Sequence, residues 1–214
     1  MKHILPVAAF VWCMASVAYA DVHVIDGDTI DLGATRYRLD GIDAPEHGQK
    51  CAAKQGEWDC GNEATSAMFD LVDGKDIRCK ALGDDGRNRV IAKCTADGRD
   101  IGGELVRTGF AWAFTKYSTA YVAQEAEARA AGLGIWQAPT IPAWQYRAEK
   151  WKSAEQVAPR GCPIKGNITS NGYIYHAPWS PWYDRTRVHE AKGERWFCSE
   201  EEAVAAGFRA PRWH

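Results

Sequence analysis

A mainly β chain with covering helices, α+β in class, is what this 214-residue sequence predicts. Three observations predict it. Apolar and polar residues alternate in short runs through the first hundred residues, as at Ile25, Ile30 and Leu32 and then Tyr37 and Leu39, with turn residues between them. A few longer segments, EATSAMFDLV among them, carry helical spacing instead. In the last quarter Gly and Pro punctuate short β-like runs, and six of the ten Trp lie from Trp144 onward, which reads as a small Trp-rich C-terminal module.

Taken in order, residues 1–20 read as a secretory signal peptide, with Lys2 and His3, an apolar core from Ile4 to Val11, and Ala18 and Ala20 before Asp21. Cleavage after Ala20 would put the mature protein outside the cytoplasm, secreted or periplasmic, with no stable membrane association. The formal charge of −2 excludes a globally basic nucleic-acid binder, so any attraction for phosphates must be local. Six cysteines follow the leader: Cys51, Cys60, Cys79, Cys94, Cys162 and Cys198. An even number in an exported chain argues for disulfides, and the long spacings with no Cys-x-x-Cys argue against zinc. The preferred pairing is local: Cys51–Cys60 in one loop, Cys79–Cys94 across adjacent strands, and Cys162–Cys198 in the tail.

Ile25 to Glu46 is the stretch around which the rest of the chain is organised. Strands meet at a turn at Gly33-Ala34, and pairing can bring Asp28 on one strand and Asp43 just after another to a sheet edge, gathering two or three carboxylates and an arginine at one spot. Carboxylates so gathered call for a neutralising partner, and a hard divalent cation with oxygen ligands would serve. Asp26-Gly27-Asp28-Thr29 is equally a good turn sequence in its own right. It does not fit an EF-hand, whose alternate oxygen ligands Ile30 would interrupt.

Beyond this stretch, a polar loop runs to Cys60-Gly61, then Glu63 to Val72 is an amphipathic helix with Ala64, Ala67, Met68 and Leu71 inward. Ile77 to Leu82 and Val90 to Thr95 are strands around a Gly83–Asn88 turn. Asp100 to Thr108 is a short helix, Tyr121 to Ala131 a helix by propensity that Gly132 ends. Ala138 to Pro142 breaks the pattern. Trp144 to Val157 is a helix with Trp144, Arg147 and Trp151 on one side. A capping box, Ser199 with Glu202, opens a terminal helix to Ala206. The organisation expected is a leader (1–20), a first domain (21–137), a linker helix (138–158) and a small module (159–214). The chain is expected to be a monomer.

The runs VIDGDTIDL, YRLDGIDAPE and DDGRNRVIA resemble the signature of the staphylococcal nuclease (thermonuclease) family, over roughly Val22 to Gln137. The resemblance implies a five-stranded OB-fold barrel flanked by about three helices, and a calcium-dependent phosphodiesterase acting on DNA or RNA and leaving 3′-phosphate ends. It implies metal-binding carboxylates at Asp28 and Asp43, a backbone carbonyl ligand at Ala44, catalytic arginines at Arg38 and Arg89, and a catalytic glutamate at Glu46. Asn88 stands where the family turn usually has Gly, and Arg87 is the other candidate for the second arginine. Tyr117 matches one of two phenols that flank the nucleotide, while Thr115 stands where the other would be. The tail, with its Tyr-His-x-Pro and Phe-Cys-Ser-Glu phrases, resembles an accessory module found behind nuclease domains in secreted bacterial proteins. The competing reading is an inactive OB-fold module that grips single-stranded nucleic acid or a protein partner. Asp28, Arg38, Asp43, Glu46 and Arg89 all being present favours the enzyme.

Overall fold

Alternation of apolar residues builds the N-terminal half into a sheet. The computed structural model describes residues 21–212, so the leader expected at 1–20 lies outside the described residues. Strands β1 (Val22–Asp26), β2 (Thr29–Leu32) and β3 (Thr35–Leu39) form an antiparallel meander. The short β4 (Ile42–Asp43) follows, then the ribbon of β5 (Cys51–Ala52) and β6 (Glu57–Trp58), and helix α1 (Cys60–Val72). The long hairpin of β7 (Ile77–Asp84) and β8 (Val90–Ala96) comes next, with β9 (Arg99–Asp100) leading into α2 (Ile101–Arg107). β3 pairs with β8 in parallel, which gives the order β1-β2-β3-β8-β7. These five strands with their helices bear out the mixed α+β architecture expected.

β10 (Trp112–Ala113) pairs with β4, and α3 (Val122–Ala131) ends on Gly132 in the left-handed region. Helix α4 (Ala143–Glu155) leads into the tail, where β11 (Ile164–Thr169), β12 (Gly172–His176) and β13 (Arg195–Phe197) form a sheet capped by α5 (Glu200–Ala205). Among the described residues no helix is long and apolar enough to cross a membrane.

Three apolar clusters hold these elements. Ile30, Leu39, Ile42, Met68, Leu105 and Val106 fill the space between sheet, α1 and α2. Trp112, Ile135 and Ala143 join the Cys51–Cys60 disulfide in a second cluster. Ile164, Tyr175, Phe197 and Phe208 make the third, inside the tail. That core rests on Phe and Tyr, and the Trp packed against it is Trp151 from α4, rather than the tail's own tryptophans. All three disulfides join the pairs preferred from the sequence.

Several boundaries differ from those expected, β7 running on to Asp84 and α4 covering Ala143–Glu155, and the start of α1 and the terminal cap have local causes. Helix α1 starts at Cys60, three residues before the expected Glu63, because the Asp59–Cys60 corner is stapled to β5 and leaves no room for a loop. The terminal cap is only half a capping box. The Ser199 hydroxyl accepts from the Glu202 N–H at 3.1 Å, but the Glu202 carboxylate reaches the Cys198 N–H instead of that of Ser199.

Candidate active site

The Gly27-Asp28 turn between β1 and β2 faces the end of β4, and the two come unusually close. A Cβ on Gly27 would lie 2.7 Å from the Ala44 Cβ and 2.9 Å from the Ala64 Cβ, so no side chain fits there. This approach lets the Ala44 N–H donate to the Asp28 carboxylate at 3.1 Å, while the Thr29 hydroxyl donates to the same group at 2.9 Å. Arg38, projecting from β3, then bridges two acids. Its Nη1 donates to Asp28 Oδ1 and its Nη2 to Asp43 Oδ1, both at 2.7 Å.

Glu46 is held by a different device. Its N–H donates to the Gln49 side-chain oxygen at 3.0 Å, and its carbonyl accepts from the Gln49 N–H at 2.8 Å. Gln49 is fully buried and spends its amide N–H on the Ile141 carbonyl at 3.1 Å, tying this loop to the segment before α4. A second close approach seats the loop on α1: a Cβ on Gly61 would lie 1.9 Å from the Glu46 carbonyl oxygen.

The side chain that completes the cluster comes from α4. Arg147 Nη1 donates to Asp43 Oδ1 at 3.1 Å and to Glu46 Oε1 at 2.6 Å, and its Nη2 donates to Asp43 Oδ2 at 2.8 Å. Helix α4 is docked for this by Trp144, one turn earlier on the same face. Trp144 stacks on Phe114 at 5.3 Å between ring centroids and meets Trp112 edge-on at 5.9 Å. The sequence reading put Trp144, Arg147 and Trp151 on one side of this helix but gave Arg147 no chemical part.

Charge is divided unequally across the cluster. Burial opposes ionisation of Asp28, but the Arg38 guanidinium, the Ala44 N–H and the Thr29 hydroxyl outweigh it and hold its pKa below the ordinary value. Glu46 goes the other way. Burial raises its pKa and the nearby acids add to that, against the opposing pull of Arg147. Asp26, whose carboxylate accepts from the Asp28 N–H at 3.0 Å, is pushed up to about 8 by burial and by Asp28 and Glu46. Arg38 and Arg147 both rise above the ordinary arginine value despite their burial, because the acids hold their charge.

Asp28, Asp43, Arg38 and Glu46 therefore share one hydrogen-bonded network, with the Ala44 backbone beside them. Arg89 does not join it. It opens onto the same cleft, of about 910 Å³, but its Nε and Nη2 both donate to Asp85, at 2.6 and 2.5 Å. Arg87 turns to the tail, with Nε 2.7 Å from Glu201 and Nη1 3.3 Å from Glu200. Asn88 between them takes the left-handed backbone expected of the turn, with φ of 59°. Tyr117 is exposed at the cleft rim, edge-on to Phe114, and residues of the tail such as Trp179, Ser180 and Arg212 line the opposite wall.

The donor set suits a hard cation. Carboxylates and a carbonyl, with no nitrogen or sulfur, are the ligands that calcium takes. Among the described residues no three His, Cys, Asp or Glu side chains converge as a ready-made cage; the acidic oxygens are taken instead by Arg38 and Arg147.

The family model described as staphylococcal nuclease homologue matches residues 36–138, and the model for ArfC matches residues 146–210. Among curated proteins, an uncharacterized endonuclease of Escherichia coli is 33% identical over 163 residues, 70% of this chain and the whole of that protein. A micrococcal nuclease of Shigella flexneri is 32% identical over 165 residues, 66% of this chain and 90% of the other. The succinoglycan biosynthesis protein ExoI of Rhizobium meliloti is 35% identical over 119 residues; the match takes in 54% of this chain and 62% of that protein.

Proposed function

Since the chain belongs to the family of staphylococcal nuclease homologues, we propose that it is a secreted or periplasmic, calcium-dependent nuclease that hydrolyses phosphodiester bonds of DNA or RNA. The observation that carries the reading is the network itself: Arg38 bridges Asp28 and Asp43, and Glu46 is tied to the same Asp43 through a shared guanidinium.

In this reading Asp28 and Asp43, with the Ala44 carbonyl, would hold the calcium ion. Bound there, it would supply Lewis-acid stabilisation of a phosphate oxygen and orient a water. Glu46, with its raised pKa, accepts or steers the proton of the attacking water. Arg38 donates paired hydrogen bonds to the phosphate as charge builds on its oxygens. Arg89 does the same from the facing wall of the cleft once Asp85 yields it, and Tyr117 and Arg87 line the nucleotide path. Scission of the 5′ P–O bond leaves 3′-phosphate ends. The leader at residues 1–20 exports the chain, and its three disulfides suit an oxidising compartment. Residues 138–158 act as part of the site in this organisation, since α4 delivers a side chain to it, and residues between 175 and 212 line one wall of the cleft.

Plasmid digestion by the mature protein, with calcium and with EGTA, tests this. Cleavage is expected with calcium alone, and Glu46→Gln is expected to reduce kcat by at least about a hundredfold with the melting temperature preserved. Cleavage at the wild-type rate by that variant would remove Glu46 from the mechanism. Binding of single strands without cleavage, indifferent to chelator, would favour the inactive module.

A further inference from the structure

Arg147 sits among acids that carry the proposed chemistry, yet it belongs to a helix 101 residues further along the chain than Glu46. We propose that Arg147 is a positioning residue of this site: an internal cation that clamps Asp43 to Glu46 and moderates how strongly the acidic cluster takes calcium. The inference rests on the nuclease reading above for its catalytic consequence, but not for its binding consequence.

Three observations carry it. Both carboxylate oxygens of Asp43, a side chain with no exposure, accept from Arg147. The same guanidinium holds Glu46, and among the described residues its hydrogen bonds go to these two acids. Its helix does not need the contact in order to dock, because Ala143 is fully buried in the second cluster and Trp144 stacks on Phe114. Asp28, Asp43 and Glu46 are faced by two guanidinium groups, Arg38 and Arg147. Removing Arg147 leaves Arg38 as the one cation facing these three acids and frees Asp43 Oδ2, while Oδ1 keeps its bond from Arg38. An added cation should then bind more tightly. Glu46, no longer tethered, should hold its place less well, and a loss of alignment of about 1 Å costs on the order of a hundredfold in rate.

The test uses full-length mature protein with Arg147→Met, which keeps the apolar stem, and Arg147→Lys, which keeps the charge but not the forked clamp. Calcium affinity is read by titration calorimetry at fixed ionic strength, and kcat and KM on plasmid DNA separately. Arg147→Met is expected to bind calcium at least about tenfold more tightly while kcat falls. Arg147→Lys should keep calcium affinity within about threefold and still lose kcat, because a point charge cannot span the two acids. A residue serving only to fix α4 would lower the melting temperature and leave calcium affinity unchanged or weaker, and that result overturns the proposal. If Arg147→Met does not fold, wild-type kcat in Arg147→Lys overturns it equally. If no variant, nor the parent, cleaves nucleic acid while Arg147→Met binds calcium more tightly, the nuclease reading fails and the clamp stands.

Discussion

Replacing Gly61 with Ala sets two physical effects against each other at one atom. Gly61 lies in the first turn of α1 with ordinary backbone angles, so helix propensity alone makes alanine the better residue by about 1 kcal/mol. The close approach says the opposite. The added Cβ would meet the Glu46 carbonyl oxygen at 1.9 Å, the Glu46 carbonyl carbon at 2.8 Å and the Gly48 nitrogen at 3.0 Å. All three are backbone atoms, so no side chain can swing aside, and contacts below 3.0 Å are essentially never tolerated. The loop carrying Glu46 must therefore retreat by more than about 1 Å, a displacement that alone can cost on the order of a hundredfold in rate. The 2.6 Å bond between Glu46 and Arg147 and the Glu46–Gln49 turn are the first interactions stretched.

Overpacking of this kind costs about 1–3 kcal/mol, enough to reverse the propensity gain. Gly83→Ala is the matched control, since a Cβ there meets nothing within 4 Å and the backbone is not left-handed. Chemical denaturation of both variants and kcat on plasmid DNA give the comparison. Gly61→Ala is expected to be less stable and at least about tenfold slower, and Gly83→Ala close to wild type in both. Equal stability and equal kcat in Gly61→Ala would refute the idea that this contact seats the catalytic loop.

Trp144→Ala should lower stability by about 2 kcal/mol through the lost stacking and burial on Phe114 and Trp112, and should reduce kcat as Arg147 loses its platform; denaturation and plasmid cleavage check the two effects. His176 in the tail is held near a pKa of about 4 by burial and by the Lys165 and Arg185 charges. The unfolded chain binds that proton more readily between about pH 6.5 and 4, so the histidine's contribution to stability is complete above that window. It is lost as pH falls through it, on the order of 3 kcal/mol in all. His176→Gln should flatten that slope in melts taken from pH 7 to 4.

How much could be read from the sequence follows the range of the signal. The strands around Gly33, the β7–β8 hairpin and the cysteine pairs are local, set by alternation and turn residues a few positions apart. Asp28, Arg38 and Asp43 fall within sixteen residues, in the turn before β2, on β3 and on β4, so their convergence could be anticipated, though Asp43 comes from a strand paired with β10 rather than from the edge of the same sheet. Arg147 could not, because nothing in a helix's own spacing says which surface it will face. The one available hint was a Trp-x-x-Arg turn on a helix otherwise covered with charge, a pattern that marks a docked face and an arginine beside it. At Arg89 the sequence showed the residue and the turn but not that Asp85, four positions earlier, would hold it.

The energetics of the cluster bear on what it is for. Two arginines and three acids, with Asp43 wholly buried, form ion pairs whose desolvation offsets most of their attraction, and apolar residues of like volume would hold the sheet edge to α4 at least as well. The same surroundings offer such packing a few ångströms away, where Trp144 stacks on Phe114. Helix docking is thus achieved by the aromatic contact, and the charges must be explained by something other than adhesion. The pKa directions supply it. One acid, Asp28, is held ionised, and another, Glu46, is pushed towards taking a proton, although both sit in one network. Environments that separate neighbouring carboxyl groups in this way are what proton transfer beside a charged ligand requires.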